Sequence, residues 1–465
     1  MLYRIGIYCV CSLLLLAGCK LDADQPHFVT QPTVELDLKE IQQRGELNVV
    51  LDNNSVSYFI YKGNPMGYEY ELLQRLAKHL KVSLKIKVIS SIDEAFTLLN
   101  TGETDIVAFP LSITKDRTNY FAFTDAHYVT TQVLVQNKQS KKLVETPFEL
   151  IGQEVFVKNG SSFKTRLKNL SEEIGGEIIV KEDTIDGETE SLIQGVADGK
   201  IKFTVADRTI AVVNSWYYPN LDINMPISLP QQIGWALRKN SPQLVKATNS
   251  WLKGIKSSAI YQVIYNKYFN SPRFSMITNT SDYSSLSGNK LSPYDDQLKV
   301  GAKILGWDWR LLASVVYQES NFNPSIKSWA GAVGLMQVMP ETGEYFGVSN
   351  IEDPSQNIKV GVRFLKFLDN EWAKTVTDST ERVKFVLASY NVGLSHILDA
   401  RNLANKYGRS PVKWDNNVEY MLSQKSNPKY YRDKVVAAGY CRCYGPIVYV
   451  KEVLNRFEEY KIHIE

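Results

Sequence analysis

Glu319 is the residue around which chemistry can be built. Leu312, Val315, Val316 and Glu319 are spaced i, i+3, i+4, i+7, so they share one face of a helix predicted from Trp309 to about Ser320. Asp308 stands where it can cap that helix. A carboxyl held among apolar neighbours has its charged form disfavoured, and its pKa rises. It then stays protonated near neutral pH, the state a general acid needs. On spacing alone, a glutamate in a last helical turn can equally well point into water. Spacing leaves the two readings open; the residues that follow are Ser320, then Asn323-Pro324, a Gly-rich turn Ser328-Trp329-Ala330-Gly331-Ala332, and Gly334-Leu335-Met336-Gln337 ahead of Met339-Pro340.

Other chemistries find little footing. The histidines (His27, His79, His127, His396, His463) include no i, i+4 pair, which removes zinc hydrolases of the HExxH type. Cys441 and Cys443 form a lone C-x-C, short of the four ligands of a structural zinc site. They can join as a local disulfide in an oxidising compartment or stay as thiols. The net charge of +3 comes without a basic block, which argues against nucleic acid as a partner. No metal or cofactor is expected.

The 465 residues allow two or three domains, and the chain changes character part-way. Residues 46–270 alternate strands and helices. Leu47–Leu51 is an apolar strand, Leu72, Leu73, Leu76, Ala77 and Leu80 share a helical face, and Leu84, Ile86 and Val88 alternate with lysines. A helix through Phe96 and Leu99 and a strand at Asp105–Phe109 complete a first set. A second set starts near Val133, with strands at Glu154–Val157, Glu177–Val180 and Phe203–Ala206. Such β-α repeats predict parallel sheets, here in two lobes. Residues 271–295 are rich in Ser, Thr and Asn and read as a linker. Residues 296–465 are predicted to be helical throughout.

The motifs of the second half resemble those of the soluble lytic transglycosylases, lysozyme-like enzymes that cut the glycan strands of peptidoglycan. Glu319-Ser320 matches the family's catalytic pair, and the Gly334–Gln337 segment its hallmark. Asp353-Pro354, Asn357-Ile358, Gly361, Ser389-Tyr390-Asn391-Val392-Gly393, Asp399-Ala400-Arg401 and Tyr449 continue the match, with Ser389 where the family usually has Ala. The resemblance implies an all-α lysozyme-like domain and cleavage between N-acetylmuramic acid and N-acetylglucosamine without water, closing the muramoyl C6 hydroxyl onto C1. Ordinary glycosidases use two carboxylates, whereas this chemistry needs one. Glu341, Glu344 and Glu352, the other acids nearby, are expected in solvent. Glu319 is then the catalytic acid. Ser320 supports it, Gln337, Tyr390 and Asn391 line the glycan groove, Tyr449 hydrogen-bonds Glu319, and Met336 belongs either to groove or to core. The alternatives are a hydrolytic muramidase and a wall-binding protein without catalysis.

The first half resembles the family 3 extracellular solute-binding proteins, through Gly67-Tyr68-Glu69-Tyr70-Glu71-Leu72, Thr114-Lys115-Asp116-Arg117, Phe123-Thr124-Asp125 and Val205-Ala206-Asp207. The resemblance implies a periplasmic-binding-protein-like, two-lobed α/β fold that closes on an amino acid or a wall-derived peptide. Arg117 would clamp an α-carboxylate as a guanidinium fork does, with Asp207 on the α-amino group. Thr114 belongs to the same motif, Ser161 and Ser162 would offer backbone N–H groups at a helix start, and Tyr58 and Phe59 would stack on the ligand.

Residues 1–19 read as a leader. Arg4 precedes an apolar run, Val10–Ala17, too short for the ~20 residues of a membrane span. Leu16-Ala17-Gly18-Cys19 resembles a bacterial lipobox, which implies that Cys19 is acylated and that residues 20–45 form a tether. Lys20 in place of Asp points to the outer membrane, with the protein facing the periplasm.

Overall fold

Apolar runs bounded by turns set the first half of the chain. In a computed structural model, residues 31–183 and 188–464 are described. Cys19, and with it the proposed leader and lipid anchor, lies outside them. Glu46–Leu51 is an inner strand with Leu47, Val49, Val50 and Leu51 buried. It pairs in parallel with Ser83–Val88 on one side and Ile106–Val107 on the other. The sheet then continues through Ala236–Leu237 to Ala122–Phe123 with antiparallel pairing. The second sheet is built likewise. Glu154–Lys158 lies parallel to Ile179–Asp183 and Phe203–Asp207, and Gln132–Asn137 then runs antiparallel to Phe203–Asp207 and to Leu221–Asp222.

Both sheets are therefore mixed, where β-α repetition alone predicts parallel ones. The chain crosses between lobes twice, and the strands it lays down on each crossing run against the local direction. Tyr128–Thr130 and Gln231–Ile233 are those crossings, paired as an antiparallel ribbon. The strand expected at Glu177–Val180 starts two residues later, because Gly175 and Gly176 first close the preceding helix, Ser162–Ile174.

The second half is helical. The helices Asp295–Leu305, Trp309–Ser320, Pro354–Ala373, Ser379–Val392, Leu394–Lys406 and Tyr444–His463 enclose a core of Leu298, Leu312, Val316, Leu365, Phe385, Trp372 and Val453. Among the described residues no helix is long and apolar enough to cross a membrane.

Two segments that read as connectors are packed structure. Leu38–Arg44 is a helix with a capping box at Asp37, whose carboxylate also accepts from Gln243 and Leu244 N–H at the start of helix Pro242–Lys256. Within 271–295, Pro272–Asn279 is helical, and Ser285 Oγ accepts from Ile60 N–H at 2.9 Å. The low apolar content of that stretch is compensated by hydrogen bonds that composition does not reveal.

The halves meet through the hairpin Phe59–Tyr61/Asn64–Met66 of the first lobe. Gly63 lies at its tip with φ +73°, and an added Cβ would fall 2.5 Å from Phe322 and 2.8 Å from Tyr460 Oη. Only a glycine admits that approach. Tyr460 Oη donates to Gly63 O at 2.8 Å, and Tyr317 Oη donates to Asn64 Oδ1. Ile60 is buried in the core of the helical half.

Candidate active site and ligand cleft

Glu319 sits in the last turn of Trp309–Ser320, the helix that Asp308 caps by accepting from Arg310 N–H at 2.9 Å. The turn ends because Asn321 and Phe322 both adopt positive φ, 50° and 58°. Glu319 is half-buried in the wall of the helical core. Burial pushes its carboxyl up to about 7, and the hydrogen bond from Tyr449 pulls the other way. Tyr449 Oη donates to Glu319 Oε1 at 2.6 Å from the C-terminal helix Tyr444–His463.

The segment after the helix is held by a buried amide. Asn357 Oδ1 accepts from Met336 N–H at 2.8 Å, while its Nδ2 donates to Val333 O at 2.9 Å and Ile351 O at 2.7 Å. Gly334 has φ +78°, and a Cβ there would meet Asn357 Nδ2 at 2.5 Å. Gly361 leaves room for Met336, whose Sδ would lie 2.3 Å from an added Cβ. Both motif glycines are thus required by close approach.

Met336 is fully buried and belongs to the core rather than the groove, because its side chain fills the space over Gly361. Its carbonyl is what reaches the site: Tyr390 Oη donates to Met336 O at 2.7 Å. Ser320 is also buried, and its Oγ lies 2.8 Å from Leu335 O and 3.0 Å from Val316 O. It ties helix Trp309–Ser320 to the Gly334–Gln337 segment. Gln337, at φ +47°, donates back to Gly334 O and Ile326 O. Asn391 is exposed at the end of helix Ser379–Val392. Glu341, Glu344 and Glu352 are exposed, and Glu352 pairs with Lys327.

Several residues that stand out in the sequence shape this site through contacts that the sequence does not show. Ser389 accepts a hydrogen bond from the indole N–H of buried Trp372 at 2.9 Å, so the departure from Ala has a use. Asp399 accepts from Lys425 Nζ at 2.6 Å and from the N–H groups of Ala437 and Ala438. Cys441 and Cys443 are joined in a disulfide just before the helix that bears Tyr449.

In the first half the cleft opens at the carboxyl ends of the strands, where Asp52 follows Leu51, Lys158 ends its strand and Asp207 ends another. Arg117 and Asp207 both line it, with Ser161 and Ser162. Arg117 donates to Ser112 O and Gly160 O, and burial pushes it down to about 10 against the opposing pull of Asp207. Burial pushes Asp207 up to about 7, with Arg117 opposing.

Thr114 is not part of the cleft lining; it caps the short helix Lys115–Thr118. Tyr58 and Phe59 are corrected too. Both are fully buried away from the cleft, Tyr58 against Tyr70 and His463 of the C-terminal helix and Phe59 edge-on to Tyr268. The backbone has already turned there towards the hairpin that meets the helical half. Phe109 and Phe163 are the aromatic residues that line the cleft instead.

Glu459, at the interface between halves, is one of several carboxyls raised by burial, among them Glu319, Asp207 and Glu459 to about 7 and Glu188 to about 8. Each binds its proton more tightly folded than unfolded, so its stabilisation is full below the ordinary carboxyl range and fades as pH rises through the folded value. The melting temperature is expected to fall, on the order of 5 °C, between pH 5 and pH 8 in scanning calorimetry. A flat profile would show these groups to be ionised in the folded chain.

Residues 47–271 match the model of bacterial extracellular solute-binding proteins, family 3, and residues 298–412 that of the transglycosylase SLT domain. Fold and site together define a transglycosylase of the SLT class carrying a solute-binding-like α/β unit. The chain is 33% identical over 422 residues to a membrane-bound lytic murein transglycosylase F of Desulfosudis oleivorans, covering 90% of this chain and 91% of that one. It is 31% identical over 448 residues to that of Shewanella woodyi, covering 96% and 90%. The chain belongs to the membrane-bound lytic murein transglycosylase F family. A mutant of ArgBP from T. maritima superposes on 51% of this chain and all of its own length, with a TM-score of 0.46 and 27% identity.

Proposed function

We propose that this chain is a peptidoglycan lytic transglycosylase that cleaves the β-1,4 bond between N-acetylmuramic acid and N-acetylglucosamine and leaves 1,6-anhydromuramoyl ends. The observation that carries the reading is the half-buried acid Glu319, held up to about 7 beneath Tyr449. The next acids along the chain, Glu341, Glu344 and Glu352, are exposed. Protonated Glu319 gives its proton to the leaving glycosidic oxygen as the C1–O bond breaks. The resulting carboxylate takes the proton of the muramoyl C6 hydroxyl while that oxygen bonds to C1. The proton count of the enzyme is restored within one turnover, and no water enters the product.

Tyr449 positions the acid and, by donating to it, favours the carboxylate it becomes. Tyr449→Phe is expected to lower kcat roughly 10- to 100-fold, the worth of a hydrogen bond to a charged group, and to move the alkaline limb of the pH profile upward. An unchanged limb would make Tyr449 a packing residue.

The first half is proposed to bind an amino acid or a wall-derived peptide between Arg117 and Asp207, and an acylated Cys19 to hold the protein on the periplasmic face of the outer membrane. Mass spectrometry of muropeptides released from purified sacculi tests the central reading. Anhydro-ended products, one water lighter than hydrolytic ones, support it. Reducing-end products would make the chain a muramidase, and glycan retention without release would make it a wall-binding protein.

A further inference from the structure

The cleft of the first half holds more charge than the two head groups of an amino acid require. Lys158 Nζ, contributed by the second lobe, lies 3.0 Å from Asp52 Oδ2 of the first lobe and 3.3 Å from Glu188 Oε2. The lysine side chain is 6% exposed, and its ammonium sits 5.7 Å from the ring centroid of Phe109. Further ties cross the same gap. Glu190 accepts from Ser55 N–H at 3.0 Å and from Ser55 Oγ, and Arg117 Nη2 donates to Gly160 O at 3.2 Å. The lobes are thus drawn together around what space remains.

That space is a cavity of about 40 Å³. On a measure where one water takes roughly 10–15 Å³, it holds about three waters, or ~90 Å³ of liquid. Five or six heavy atoms fit there. The groups left to meet a ligand are the Arg117 guanidinium, Ser161, Ser162 and Asp207, which is 3% exposed. Asp207 Oδ1 and Asp52 Oδ1 have no hydrogen-bond partner among the described residues.

We infer that the cleft takes a small zwitterionic amino acid, of glycine or alanine size, and that Lys158 sets this limit by standing where a longer side chain would lie. The inference rests on the proposal that the first half binds an amino acid at Arg117 and Asp207. A leucine-sized side chain would have to drive the ammonium away from Asp52 and Glu188, leaving buried acids unpaired. A basic side chain meets the same obstacle, since one pair of acids would then face two cations. Removing the ammonium reverses the preference, because a lysine or arginine ligand can then supply the missing charge itself, whereas leucine cannot.

The test is isothermal titration of the detergent-solubilised full chain, its Lys158→Ala and Lys158→Met variants, and Arg117→Ala, with glycine, L-alanine, D-alanine, L-leucine, L-lysine and L-arginine. The wild type is expected to bind glycine or an alanine at least tenfold more tightly than leucine, lysine or arginine. Lys158→Ala is expected to gain at least tenfold for lysine or arginine and not for leucine, and Arg117→Ala to lose all binding. Wild-type affinity for leucine or arginine equal to that for alanine would overturn the inference while leaving an amino-acid site in place. A Lys158→Ala chain that folds but gains nothing for basic ligands would overturn the role of Lys158. If neither Lys158 variant folds, the wild-type series alone decides. No binding of any amino acid to any form would sink the amino-acid reading itself, and the inference with it.

Discussion

Glu319→Gln is expected to release no anhydro-ended muropeptides above background, a loss of about 10²–10⁴-fold or more in rate, the usual contribution of a positioned acid. Glutamine keeps the shape and can still accept from Tyr449 Oη, which donates at 2.6 Å in the wild type, so the fold should survive. What is lost is the proton for the leaving oxygen and, afterwards, the base for the C6 hydroxyl. The pH profile of the wild type supplies a second reading of the same group. In the proposed mechanism the active form is the protonated one, and burial holds Glu319 up to about 7. The rate should therefore hold below pH 7 and fall as pH rises through it. A variant with a tenth or more of wild-type activity would move the proton donor elsewhere.

Asp399→Ala is expected to cost about 3–5 kcal/mol, as breaking a buried pair from one side does. Lys425, with no exposed side-chain surface, would lose the carboxylate 2.6 Å away. The N–H groups of Ala437 and Ala438 would lose their acceptor together with it. That stretch leads through Cys441 and Cys443 into the helix that brings Tyr449 to Glu319. A fall in melting temperature of roughly 10 °C should accompany weakened catalysis. Lys425→Met in the same chain should recover much of the stability, since it removes the orphaned charge. A fall of less than about 3 °C would mean that water reaches Lys425 and that the pair is ornamental.

Much of this architecture is legible in local pattern. The i, i+3, i+4, i+7 spacing places Glu319 on the apolar face, and the helix runs Trp309–Ser320 with Asp308 as its cap. Periodicity of this kind survives because a helix buries one stripe whatever it packs against. The alternating elements of residues 46–270 likewise yield two α/β lobes. Local pattern is blind to long-range geometry, and there the expectations and the fold part. The direction of a strand depends on which way the chain crosses between lobes, so the mixed sheets leave no mark on the spacing of apolar residues. Tyr58 and Phe59 are large aromatics at the right sequence position, but the hairpin turns them towards His463 and Tyr268.

The residue types and their spacing alone specified an acid on a buried face, a glycine-bounded loop after it and an α/β half ahead of it, because those features arise within a turn or two of chain. Contacts between residues far apart in sequence set the rest. Tyr449 meets Glu319 across 130 positions, and Lys158 meets Asp52 across 106. A raised pKa and a filled cleft are properties of such meetings, since burial and charge act through space and not along the chain.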